Sequence, residues 1–463
     1  MPTALPTPQQ LQAHIAALEH GLLERGTAVR LLLLAALAGE HVLLIGPPGT
    51  AKSELARRLH RAFDGARYFE RLLTRFSTPE ELFGPLSLKA LEDDRYERLI
   101  DGYLPTAGIA FLDEVFKANS AILNALLTLF NEREFDNGSG RIRTPLVCAI
   151  GASNEAPADE SLLAFHDRFL LRVPVSPVSD ASFAALLQLD DDLAPCTAAP
   201  ITVDQLHGVT AASETVALGE VVVQALTRLR AFAAAQGLPV SDRRWRQLVG
   251  LVRVAAAAER RSETDLLDLW LVPFVLSPEV DTVPRLAAWF DEQLGTQPQP
   301  LTWLGHAVQA FEKQLELERS LPAEALDGAA GKLALARAIA GPEDPGGLLR
   351  MVSGTLEEQS RRRFSPVHVA ARVAQVDEML ARVTAARQPV AEALQNLQHA
   401  LAGRLWVPPD LGDRWRGAHR QTLDTLDTAA QRLHAVRQAF AALPVDEQVP
   451  AQAPAVVAID TGP

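Results

Sequence analysis

Gly46-Pro47-Pro48-Gly49-Thr50-Ala51-Lys52-Ser53 stands between a short apolar run, HVLLIG (41–46), and a segment with Leu55, Leu59 and Phe63 on one helical face. An apolar run bounded by breakers predicts a buried strand, and the 3–4 spacing after it predicts a helix. Strand, Gly-rich loop, helix is the setting in which this spacing holds phosphate. The loop's backbone N–H groups can wrap a β-phosphate, and the helix N-terminus adds favourable partial charge. All eight residues, Gly46 to Ser53, are therefore expected to bind a nucleotide. Lys52 would reach the β- and γ-phosphates, and the Ser53 hydroxyl would hold Mg²⁺. One position departs from the strict pattern: Ala51 stands where glycine is usual.

Three later runs resemble the first: GIAFLDE (108–114), PLVCAIGASN (145–154) and FLLRV (169–173). Helix-like segments separate them, so a parallel sheet covered by helices on both faces is expected. In NEREFDNGSGRIRT (131–144), Asn137-Gly138 between two possible arms predicts a β-hairpin. Beyond residue 180 the pattern is helical. The expected division is an α/β nucleotide-binding core with N-terminal helices (1–180) and an all-helical lid (181–300). A C-terminal helical arm (301–443) and a Pro/Ala/Val-rich flexible tail (444–463) follow.

The second run ends in Asp113-Glu114. Ligands bind at the C-terminal edge of parallel sheets. There an Asp can hold the Mg²⁺ shell, and an adjacent Glu can orient and deprotonate a water for attack on a γ-phosphate. Asn154 closes the third run, where its amide can position that water. Arg168 leads into the fourth run and can stabilise charge on a transferring phosphoryl group, in cis or from a neighbouring copy. The same spacing allows a plain surface salt bridge with Asp167. Ser241-Asp242-Arg243-Arg244 reads as a helix start. Arg243 can face the nucleotide from a second domain, or be a solvated basic turn.

Composition narrows the class. The 463 residues are 48% hydrophobic and 6% aromatic, with a net charge of -13. That balance disfavours non-specific nucleic-acid binding. Two cysteines, Cys148 and Cys196, form no CxxC pair, which fits a reducing compartment. The start, MPTALPTPQQ, lacks a signal-peptide layout. The longest apolar stretch, Leu31 to Ala38, falls far short of the roughly 20 residues of a spanning helix. A cytoplasmic protein without membrane insertion is expected.

The order GPPGTAKS, IAFLDE, GASNE, HDRF, SDRR resembles the MoxR branch of the AAA+ ATPases, in which alanine in the phosphate loop is common. More closely, LLTRFSTPEELFGPLSLKAL (72–91), RYERLIDGYLP (95–105), FLDEVFKANSAILNALLTLFNEREFDNG (111–138) and SDRRWRQLV (241–249) resemble the RavA subfamily. The resemblance covers about 10–290 and continues weakly at RLWVPPDLGDRW (404–415).

The resemblance implies an αβα core with an all-α lid, assembled as a homo-hexamer with nucleotide at the subunit boundary. By motif position it makes Lys52 and Ser53 Walker A, Asp113 and Glu114 Walker B, and Asn154 sensor 1. Arg168 becomes a trans-acting arginine finger and Arg243 sensor 2. It places an insertion at 85–104 and the hairpin at 134–144 toward a central pore. It also implies a chaperone-like role beside a partner carrying a von Willebrand factor A domain. RavA itself carries an inserted β-rich domain that binds a lysine decarboxylase. Here 305–365 is short and shows no run of strands, so that domain is expected to be absent.

The expected function is Mg-ATP hydrolysis that remodels or activates a protein client, with Lys52, Glu114, Asn154 and Arg168 as the catalytic set. Two rivals stand beside it. One is an ATP-dependent switch or scaffold with little turnover. The other is a DNA-dependent motor using Arg133, Arg141 and Arg143 of the hairpin.

Overall fold

The run at 41–46 forms strand β1 (Val42–Ile45), with all its residues buried. In chain order follow β2 (Tyr68–Leu72), β3 (Ile109–Asp113), β4 (Glu134–Asp136), β5 (Arg141–Arg143), β6 (Cys148–Ser153) and β7 (Leu171–Pro174). The computed structural model describes residues 5–138, 140–157, 159, 162–189, 197–295, 301–320 and 363–457. The main sheet is parallel, in the order β2-β3-β6-β1-β7. Its central strands are buried on both faces, which is why they read as unbroken apolar runs. β2 escapes such reading. It is an edge strand of alternating exposure, and Glu70 and Arg71 interrupt its apolar pattern.

The chain divides into two compact units: Met1–Thr296 with Ala400–Arg414, and Gln297–His399 with Trp415–Pro463. In the first, helix α1 (Pro8–Glu19) precedes α2 (Gly26–Ala38), a core helix buried from Ala28 to Leu37. Helix α3 (Lys52–His60) follows the phosphate loop and buries Leu55, Ala56 and Leu59. The lid helices include Val203–Thr215, Glu220–Ala235, Asp242–Ala258 and Val283–Gln293.

The hairpin forms as expected, β4 pairing antiparallel with β5. Gly138 sits at φ +79°, and a Cβ there would lie 1.5 Å from the Tyr96 carbonyl oxygen. Asn137 latches this tip to the 85–99 segment. Its Oδ1 accepts from Arg98 N–H at 2.8 Å and its Nδ2 donates to Arg98 C=O at 3.3 Å. Two of the three hairpin arginines are committed, and Arg143 is exposed. Arg133 donates to the carbonyls of Leu146 and Gly39, and Arg141 pairs with Glu132 at 2.9 Å.

Residues 400–414 cluster with the lid rather than with the helical arm. Trp406, 2% exposed, donates from its indole to Ala255 C=O at 3.1 Å. Arg404 pairs with Glu259 at 3.1 Å and with Asp268 at 3.2 Å.

The second unit packs Thr302–Ser320, most of Pro366–Leu401 and most of Pro409–Ala441 around Phe311, Val376, Met379, Leu433 and Phe440. The expected flexible tail is corrected up to residue 457. Phe364 bridges to Val445, and the buried Arg372 donates to Ala455 C=O at 2.7 Å. Backbone and guanidinium partners hold this stretch although its composition looks solvated. Residues 458–463 lie outside the described residues, as does 321–362, where the absence of an inserted domain was expected. Among the described residues no helix is long and apolar enough to cross a membrane.

Candidate active site

Register brings the motifs to one edge. Ile45 pairs with Ser153, and β3 lies beside β6, so the ends of β1, β6 and β3 stand side by side. Gly46 N–H donates to Ser153 C=O at 3.0 Å, and a Cβ on Gly46 would meet Val175 O at 2.1 Å. Only glycine fits there. The loop then turns through Gly49 at φ +81° and Ala51 at φ +68°. For an alanine, that left-handed backbone costs roughly 1–2 kcal/mol. Among the described residues, the N–H groups of Gly49 to Ser53 donate to no protein atom. Unpaired N–H groups at a helix start form an anion cradle. Lys52 Nζ donates to Gly46 O at 2.7 Å and Pro47 O at 2.8 Å. An ammonium has three protons, so one is left for a phosphate oxygen. Burial lowers the Lys52 pKa, against the opposing fields of Asp113 and Glu114.

Glu114 follows β3 with φ +51°. Its N–H donates to Asp113 Oδ1 at 3.0 Å. Its own carboxylate is held at both oxygens: Asn154 Nδ2 donates to Oε1 at 2.9 Å, and Lys117 Nζ lies 3.3 Å from Oε2. The structure thus brings together Glu114 and Asn154, and places Lys52 in the field of the acidic pair. Ser53, partly buried, has a hydroxyl with no protein partner among the described residues, and Asp113 adds a carboxylate at the end of β3, two strands from β1. This donor set fits Mg²⁺, which takes one or two protein oxygens and completes its shell with phosphates and water. Consistently, no cluster of three or more His, Cys, Asp or Glu among the described residues could hold a metal by itself.

Arg168 and Arg243 lie elsewhere in the same chain. Arg168 precedes β7, whose first residue, Leu171, pairs with Val42 at the start of β1. It therefore stands at the N-terminal edge of the sheet, a strand length of about 13 Å from the phosphate-loop edge. Arg244 fixes the lid to this edge. It is 3% exposed and donates to Asp167 at 2.9 Å, to Phe169 O at 3.0 Å and to Leu170 O at 2.8 Å. Asp167 is thus taken by Arg244, with Arg172 at 3.8 Å, and the buried Arg168 Nε has no partner among the described residues. Burial and the Arg244 charge push Arg172 down to about 9. Arg243 is exposed beside Arg244, and its field reaches Glu40, just before β1.

Sequence reading missed Arg25, Lys117 and Arg244. Arg25 had one faint signal, a charged break (LERGT) between two apolar helices. The residue is 6% exposed and its guanidinium touches the phosphate loop.

Residues 9–207 match a family model described as the MoxR domain in the MoxR-vWA-beta-propeller ternary systems, and 221–290 match an AAA lid domain. Two uncharacterized proteins of Methanocaldococcus jannaschii are each 41% identical, over 56% of this chain and 68% and 69% of their own lengths. Protein MoxR of Paracoccus denitrificans is 32% identical over 35% of this chain and 48% of its own. A crystal structure of a candidate ATPase from Cytophaga hutchinsonii shares the fold, with a TM-score of 0.50 at 16% identity, over 62% of this chain and 94% of that one.

Proposed function

The chain belongs to the MoxR family of AAA+ ATPases, and on that premise we propose that it hydrolyses Mg-ATP in a homo-hexameric ring to remodel or activate a protein client. One observation carries the reading: the charged residues divide between opposite edges of one sheet. The phosphate loop, Asp113, Glu114 and Asn154 hold one edge, and Arg168 and Arg243 the other. A nucleotide on the loop meets neither arginine of its own chain. A ring of identical copies sets one edge against the next and supplies them in trans, where an arginine is worth about 10³–10⁵ in rate.

In the occupied site the loop N–H groups and Lys52 cradle the phosphates. Ser53 and Asp113 would hold Mg²⁺, which would neutralise phosphate charge. Glu114 accepts a proton from water, whose oxygen attacks the γ-phosphorus as the bond to ADP breaks. Asn154 orients the carboxylate and the water. Arg168 from the adjacent copy stabilises the equatorial oxygens, and its place at the edge opposite the phosphate loop supports that role. Sensor 2 is assigned to Arg243 because it stands beside Arg244 at that same edge.

A co-protein with a von Willebrand factor A domain is supported by the description of the matched family model. The RavA-like segments support placement near that subfamily, without its decarboxylase partnership. The switch reading draws on one feature, that both Glu114 oxygens are occupied. For the DNA-dependent motor, Arg141 is paired and Arg133 donates to backbone carbonyls, which leaves Arg143 as the hairpin's exposed basic side chain.

Complementation tests the reading. Lys52→Ala and Arg168→Ala should each be inactive alone. Mixed in equal amounts they should recover part of the parent rate, because some boundaries regain an intact loop and an intact arginine. Activity of Arg168→Ala alone, or no recovery on mixing, contradicts a shared site.

A further inference from the structure

Ala51 holds a left-handed conformation with no glycine to relieve it. Such backbone persists only when its surroundings over-determine it. Two groups hold the Thr50–Ala51 peptide. Thr50 Oγ1 donates to Pro47 O at 3.0 Å from within the loop. From outside, Arg25 Nε donates to Thr50 O at 3.3 Å. The same guanidinium donates to Ser176 O, beyond β7, at 2.7 Å and to Glu24 O at 3.0 Å. Among the described residues it hydrogen-bonds only to these three carbonyls and to no carboxylate. Next to it, Glu24 accepts from the Ser179 N–H at 3.0 Å, so the α1–α2 connection grips the segment after β7 twice.

We propose that Arg25 is a positioning residue for the phosphate loop: by holding the Thr50 carbonyl it keeps the strained Thr50–Ala51 peptide turned with its N–H toward the bound phosphates. A trans peptide is planar, so its C=O and N–H point in opposite directions. Fixing Thr50 O on Arg25 therefore aims Ala51 N–H away from Arg25 and into the cradle. The fork is needed as well as the charge, because Nε and Nη2 reach separate carbonyls on two segments. The inference rests on the reading that nucleotide phosphates occupy this loop.

The test is ADP binding by calorimetry on the full chain, comparing the parent with Arg25→Ala, Arg25→Lys, Ala51→Gly and the Arg25→Ala/Ala51→Gly pair. Arg25→Ala should weaken ADP binding roughly tenfold, the scale of one lost charge-assisted bond. Arg25→Lys should weaken it nearly as much. Ala51→Gly should bind like the parent, and in the double variant it should recover most of the loss, because glycine takes this φ without strain. Parent-like binding by Arg25→Ala overturns the proposal. Full rescue by Arg25→Lys overturns it too, since charge alone would then suffice. So does a double variant as weak as Arg25→Ala. If Arg25→Ala does not fold, Arg25→Lys with and without Ala51→Gly carries the same comparison. A parent that binds no ADP overturns the nucleotide reading itself.

Discussion

Asn154 Nδ2 donates to Glu114 Oε1 across 2.9 Å, from the end of one central strand to the end of its neighbour. The two side chains meet because β6 lies between β3 and β1, and because the left-handed Glu114 backbone places its carboxylate beside that strand end. A residue at this point can feel a γ-phosphate on one side and steer the base on the other.

Glu114→Gln keeps the amide contact with Asn154 and removes the base. The hydrolytic rate should fall by about 10²–10⁴ while ATP still binds. Asn154→Ala should also lower kcat with ADP affinity unchanged. Steady-state kinetics beside equilibrium binding checks both. Equal losses in binding and rate would mean that the pair only supports the loop.

Lys117 competes for Glu114 Oε2, but its side chain is 62% exposed. An exposed pair is worth at most about 1 kcal/mol, so Lys117→Ala should raise basal hydrolysis by no more than about fivefold. A fall in rate would show that Lys117 orients the base rather than restraining it.

The 400–414 turn is anchored in the lid by Trp406 and the Arg404 cluster. Trp406→Ala should destabilise the first unit by about 3–5 kcal/mol, read from urea unfolding. Within this cluster burial pushes the Asp268 carboxyl up to about 6, against the Arg261 charge. An acid with a raised folded pKa stabilises most below its unfolded value of 3.8 and loses that contribution as pH rises through about 6. The stability of the parent relative to Asp268→Asn should therefore decline between those pH values. A flat difference would contradict the burial argument.

Gly138→Ala should spring the hairpin tip from the 85–99 segment, because its Cβ would collide with Tyr96 O. Hydrogen exchange at residues 95–99 should accelerate in this variant and in Asn137→Ala. Unchanged protection would show that the tip is held by something other than these contacts.

Much of this arrangement was legible in the sequence, for physical reasons that differ by residue. β1, β3 and β6 are buried on both faces, so their strings are almost wholly apolar; β7 stays legible although the buried Arg172 interrupts it. The phosphate loop and Asp113-Glu114 announce themselves because phosphate and metal demand fixed spacing. β2 was hidden by Glu70 and Arg71, which an edge strand tolerates. Arg168 was legible as a candidate, and its place just before a parallel strand already sets it at the N-terminal edge; Arg243 was legible as a candidate but not by position, since only the contacts of its neighbour Arg244 fix it there. Arg25 left only the faint signal of a charged break, because its partners are backbone carbonyls, which no residue pattern records. The stretch 444–457 misled by composition, because carbonyls such as Ala455 O are taken whatever the side chains are.

The most direct test of the account is steady-state ATP hydrolysis by the full chain with Mg²⁺ across a wide range of protein concentration, with Glu114→Gln as control and the oligomer sized in parallel. The account predicts a specific activity that rises with concentration and saturates as the ring assembles, and that Glu114→Gln lowers by about 10²–10⁴. Full activity in a protein that sizes as a monomer would contradict the shared site, and near-parent activity in Glu114→Gln would contradict the assigned base.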